Sequence, residues 1–224
     1  FMNMSMQSKF IFGLGALLII TAVAGYFLYR SPEQIEGDIE GVTSTIEGVG
    51  GTGDFSVEPV PIEEVTVQAP SLDRPLYIDP ALSEDVKVTL KRLLEGQIAL
   101  LKKEPNRMDY WVQLGTNRKI GGDYEGARQA WEYVTKAGQE EIRGIAHGNL
   151  GDLYMNFLKD YPKAEANYLE AIKINPAFID YYRTLATLYT HLYKTGTSAA
   201  ADIIKQGLKA NPGNPDLLKL QAAL

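Results

Sequence analysis

From about residue 79 the apolar positions fall at helical spacing, three or four apart, in stretches short enough to be separate helices. Val86, Leu90, Leu93, Leu94, Ile98 and Leu101 mark one face of a helix. Ser83 stands at its N-cap, Glu84 and Asp85 fill the first turn and Lys102-Lys103 the last, before Pro105 stops it. Beyond Met108 the pattern repeats. Gly115, Gly151 and Ala186 correspond, as do Ala127, Ala164 and Ala200, and Trp131, Tyr168 and Ile204, at separations of 35 to 37 residues. A period of that length with helical spacing inside it predicts stacked helical hairpins.

Upstream the pattern is different. Phe10 to Tyr29 is twenty residues without a charge, closed by Arg30, and as a helix would span roughly 30 Å, the hydrocarbon thickness of a bilayer. This predicts a single-pass transmembrane anchor at 10–29, behind a short flank at 1–9, with Tyr26 and Tyr29 at an interface. Ala22-Val23-Ala24 fits a small-x-small cleavage site, which keeps a removed signal peptide as the alternative. Lys9 and Arg30 balance, so orientation rests on the terminal amine and on the acids after Arg30; both favour a cytoplasmic N-terminus and an extracytoplasmic, periplasmic-side domain.

Residues 30–78 read as an acidic flexible linker rich in Gly, Pro, Ser, Thr and Glu, with a span of roughly 35–40 Å. The alternating run Ile62 to Val67 offers a strand that could add to a partner's sheet edge. Residues 31–73 carry ten acids and no Lys or Arg, whereas 74–224 carry 20 basic and 18 acidic side chains. The net charge of −6 therefore belongs to the linker, and nucleic acid is not an expected partner. The chain has no cysteine and two histidines, so no thiolate or histidine-rich metal site is expected, and no cofactor.

The repeat is carried by Trp111, Leu114-Gly115, Gly122, Tyr124, Ala127 and Trp131 in the first copy. Leu150-Gly151, Tyr154, Tyr161, Ala164, Tyr168, Ala171 and Pro176 carry the second, with one residue inserted after Tyr154. The third has Leu185-Ala186, Tyr189, Ala200, Ile204, Gly207 and Pro212 and a two-residue extension. These positions resemble the tetratricopeptide repeat (TPR) family over roughly half the chain, except that Arg118 stands where the first copy should have Tyr. The resemblance implies an all-α, right-handed TPR-type solenoid. Its parts would be an N-terminal capping helix at 79–105, repeats at 106–141, 142–177 and 178–213, and a C-terminal capping helix at 214–224. Small residues would sit where paired helices come closest, with aromatic rings filling the space between.

The resemblance also implies a concave groove lined by the first helix of each pair. Its candidate peptide-binding residues are Asp109, Val112, Thr116 and Lys119; Ile145, Asn149, Asp152 and Asn156; and Asp180, Arg183, Thr187 and His191. Asn149, Asp152, Asn156, Arg183 and His191 form the expected polar cluster for an extended peptide; each reads equally as part of a solvated helix face. The carboxylate clamp of chaperone-binding relatives is not expected, because Val112 and Thr116 replace its first Lys and Asn. Neither a phosphate loop nor a nucleophile elbow is present, and no enzymatic activity is expected.

The reading is a membrane-anchored adaptor binding a peptide or protein partner, in envelope assembly, secretion or quality control. A permanent architectural subunit and a cytosol-facing receptor stand as alternatives. Ile203, Leu208 and Leu217 could support either a dimer or the capping of the last repeat.

Overall fold

A computed structural model describes residues 67–224. The apolar run 10–29, residues 30–66 of the expected linker and most of the strand candidate at Ile62 lie outside the described residues. No described helix is long and apolar enough to cross a membrane. The described chain is all-α, with eight α-helices and no strand among the described residues.

The helices are α1 (Glu84–Lys103), α2 (Met108–Ile120), α3 (Tyr124–Ala137), α4 (Glu140–Leu153), α5 (Tyr161–Ile174), α6 (Ile179–His191), α7 (Ala199–Ala210) and α8 (Pro215–Ala223). Their ends follow from local chemistry. Asp123 caps α3 by accepting the Gly126 N–H at 2.9 Å, and Asp160 caps α5 through the Lys163 N–H at 3.2 Å. Asn214 accepts the N–H groups of Asp216 and Leu217, with Pro215 opening α8.

Each helix packs on its chain neighbours, and α2 also meets α4, as α6 meets α8. A single apolar core runs through this row. Small residues and rings are fitted to one another between paired helices. A Cβ on Gly115 would lie 2.5 Å from Trp131 Nε1, and one on Gly151 would lie 2.9 Å from the Tyr168 ring. The third pair reverses the arrangement: Gly207 on the second helix makes room for Tyr182 on the first, at 2.9 Å. Trp111 Nε1–H donates to the Pro105 carbonyl and the Tyr182 hydroxyl to that of Pro176, so each ring also ties its helix to the preceding turn.

The residue inserted after Tyr154 is absorbed as a π turn, Tyr154–Leu158, which ends at Lys159 in the left-handed region. A widened turn takes in one extra residue without breaking the helix.

Three expectations are corrected, and one departure from the repeat gains a partner. Residues 67–78, expected as linker, lie against the helices without helix or strand of their own and with a turn at 72–74: Val67, Leu72 and Ile78 pack on the core, and the Asp79 N–H donates to the Gly121 carbonyl at 2.8 Å. On α1, Val86 and Leu93 are exposed, while the buried face takes Gln97, whose Nε2 donates to the Tyr110 carbonyl at 3.2 Å. Arg118, which stands where the repeat has Tyr, is buried and ion-paired to Asp123. Ile203 and Leu217 are both buried within the chain, so neither is an exposed contact for a second copy.

Candidate functional site

The expected groove residues sit on α2, α4 and α6, the first helices of the three pairs, except Asn156, which lies in the π turn that follows α4. The structure brings some of them together. Lys119 Nζ reaches Asp152 Oδ2 at 2.7 Å, joining α2 to α4, and the Asn156 amide donates to the other oxygen of Asp152 at 2.7 Å. The Lys119 ammonium also lies 5.9 Å above the Trp131 ring and 5.8 Å above that of Phe157. One carboxylate thus organises a cation, an amide and two aromatic faces.

A second group lies on α6. Arg183 Nη1 donates to Asp180 Oδ1 at 2.6 Å, and the Thr187 hydroxyl back-bonds to the Arg183 carbonyl at 3.0 Å. With Thr184 and Leu220 they line a shallow cleft of about 280 Å³ between α6 and α8. Arg183, Thr187 and His191 are exposed. None of the three hydrogen-bonds to Asn149, Asp152 or Asn156, and of the expected five-residue cluster the side chains of Asp152 and Asn156 alone are bonded to each other.

The remaining candidates are dispersed. Asp109 is held by Arg107 through two contacts of 2.9 and 2.7 Å, next to the Tyr110 ring that Arg107 covers at 4.2 Å. That carboxylate raises the Arg107 pKa further, keeping the guanidinium charged. Thr116 spends its hydroxyl on the Val112 carbonyl at 3.1 Å, and Val112 and Ile145 are half-buried. Asn149 is half-buried on α4. Beside it His147 Nδ1 meets Asn167 Oδ1 at 3.0 Å, tying α4 to α5.

Two features had no sequence signal. Successive pairs are stitched by the same contact: the Tyr154 hydroxyl donates to Glu132 at 3.0 Å, and the Tyr189 hydroxyl donates to Glu165. Burial, with the acceptor carboxylate adding to it, raises the pKa of both phenols. The second feature is the cluster of Arg118, Asp123 and Arg74, which fastens the 67–78 strap. The Arg118 guanidinium is pushed down by desolvation and held up by Asp123, and its Nε is buried without a partner. Alongside the strap an open groove of about 590 Å³ runs between Val67–Ser71 and Gln129, Glu132, Tyr133 and Lys136 of α3.

No protein-family model matches this chain, and no curated protein is significantly similar to it.

Proposed function

We propose that this chain is a TPR-type scaffold that binds an extended segment of a protein partner across α2, α4 and α6. The observation that carries the reading is the Lys119–Asp152–Asn156 group. Here first helices of successive pairs meet through half-exposed polar groups whose capacity for hydrogen bonds is not spent. The nearby Arg183–Thr187 cleft offers a guanidinium and a hydroxyl on the same set of helices. An extended peptide needs alternating donors and acceptors along its backbone, and this face supplies both.

The apolar run 10–29 makes the scaffold a single-pass membrane protein, with the helical domain on the extracytoplasmic side and a role in envelope assembly, secretion or quality control. The test is capture of partners from native membranes by the full chain and by the triple variant Asp152→Ala, Arg183→Ala, Thr187→Ala. A partner held by the native chain and lost from an equally stable triple variant supports the groove. Equal capture by both refutes it.

A further inference from the structure

The three turns that close the helix pairs lie along one edge of the row, and they share a composition. The α2–α3 turn carries Lys119, Ile120 and Tyr124; the α4–α5 turn Leu158, Lys159 and Tyr161; the α6–α7 turn Leu192, Tyr193 and Lys194. Ile120, Leu158 and Leu192, with Phe157 beside Leu158, are each 40 or 41 % exposed. The tyrosines join the turns into one edge: Tyr124 packs on Phe157 at 4.7 Å with the rings tilted by 40°, and Tyr161 faces Tyr193 at 6.5 Å. Tyr77 of the strap, 51 % exposed, extends the edge at Gly122.

Two details aim this chemistry outward. The π turn places Phe157 and Leu158 beyond the end of α4, where a continuous α-helix one residue shorter would not. Lys159 and Lys194 are the two non-glycine residues with positive φ among the described residues, at 56° and 61°, the first in the α4–α5 turn and the second in the α6–α7 turn. The neighbouring carboxylates are already engaged: Asp123 by Arg74 and Arg118, Asp160 by Lys163, and Glu165 by Lys194.

We propose that this edge docks onto the lipid–water interface of a bilayer, with the apolar tips entering the headgroup region and Lys159 reaching to a phosphate, since Lys119 and Lys194 are held by Asp152 and Glu165. This rests on the anchored reading above. Tyrosine, aliphatic tips and flanking lysine are the composition that partitions to that depth. A bilayer can also receive a row of separate tips, for which a protein partner would need a matching row of pockets. The 37 residues from Arg30 to Thr66 reach at most about 130 Å when fully extended, so an anchor at 10–29 keeps the edge within range of the same membrane. Because the local acids are paired and the tips apolar, docking depends little on anionic lipid.

The chain has no cysteine, which makes single-cysteine labelling clean. The full chain is reconstituted into phosphatidylcholine vesicles bearing headgroup nitroxides, with a polarity-sensitive fluorophore at Leu158→Cys, at Leu192→Cys, or at Phe178→Cys in the connection between α5 and α6. Docking predicts several-fold stronger quenching at 158 and 192 than at 178, and a blue shift at the first two sites. Equal quenching at all three, or none while the vesicles still carry the chain on flotation, overturns docking and leaves the anchor standing. A chain that fails to float overturns the anchor and docking together. A blue shift at 158 without nitroxide quenching assigns the edge to a protein or a second copy, and also overturns the proposal. Thermal melts of the three variants matching the native chain secure the comparison.

Discussion

Arg74 lays its guanidinium along the carboxylate of Asp123, Nη2 to Oδ1 at 2.9 Å and Nε to Oδ2 at 3.2 Å, across 49 residues of chain. Asp123 answers three demands at once: it accepts from Arg74, from buried Arg118 at 3.3 Å, and from the Gly126 N–H that opens α3. The two partners should therefore fail differently. Arg74→Ala removes a half-exposed contact and is expected to cost about 0.5–1 kcal/mol, releasing the strap while the helices stay folded. Asp123→Ala strands the Arg118 charge and removes a cap, and is expected to cost about 3–5 kcal/mol. Hydrogen exchange separates the outcomes: protection lost at the Asp79 amide, which donates to the Gly121 carbonyl, for Arg74→Ala, and throughout α2 and α3 for Asp123→Ala.

Gly115→Ala tests the fit between paired helices. The new methyl would sit 2.5 Å from Trp131 Nε1, and that ring cannot retreat, since it is fully buried and its N–H is held by the Val112 carbonyl at 3.0 Å. The expected loss is about 1–3 kcal/mol by urea unfolding. Gly96→Ala is the control, because nothing lies within 4 Å of its added Cβ, and in mid-helix it should stabilise by about 0.5–1 kcal/mol.

Alkaline pH should unfold the domain through its tyrosines. Burial raises Tyr168, Tyr182 and Tyr189, and pushes Tyr181 up to about 12. A phenol whose pKa is higher in the folded state contributes stability that is complete below its unfolded pKa of about 10 and is lost as pH rises through the folded value. Melting temperature is expected to hold to about pH 10 and fall steeply toward 12. Tyr181→Phe should soften that fall, and an unchanged profile in this variant would remove Tyr181 from the account.

Acid acts with the opposite sign. The Glu125 carboxylate is held below its ordinary range chiefly by hydrogen bonding to Arg128, and Asp160 likewise by Lys163. Each contributes stability that is present above the ordinary carboxylate pKa and lost as pH falls through the lowered one. Both sites are solvent-exposed, so the effect is small and salt-sensitive. NMR titration of the two carboxyls should place their midpoints below those of carboxylates without a cation partner.

Lys119 and Asp152 join α2 to α4 at the face proposed for partner binding. A double-mutant cycle with Lys119→Met and Asp152→Asn is expected to give a coupling of about 0.5–1 kcal/mol, reduced by salt. Coupling of zero would make the contact incidental, and α2 and α4 would then be held at this point by packing alone.

The sequence determined the helices and the pairing of small with aromatic residues, because each rests on neighbours within a few positions or on a repeat of 35 to 37 residues; it misplaced a cap, since Ser83 makes no side-chain capping bond to α1. Gly115 and Trp131 are legible together, since the pair returns as Gly151 and Tyr168, one residue wider because of the insertion after Tyr154. It also indicated which helices carry the candidate polar face, though not which residues on it meet. Tertiary structure decided what depended on distant partners. Arg74, among Pro, Ser and Asp, reads as linker until Asp123 is brought beside it, and Arg118 reads as a lapse in the repeat until that carboxylate shares its burial. The inserted residue after Tyr154 was visible as a length, but only the fold spends it on a π turn that leaves Phe157 partly exposed and in contact with the Tyr124 ring. Local propensity and period are properties of one stretch of chain; an ion pair or an exposed edge is a property of two stretches that folding alone makes adjacent.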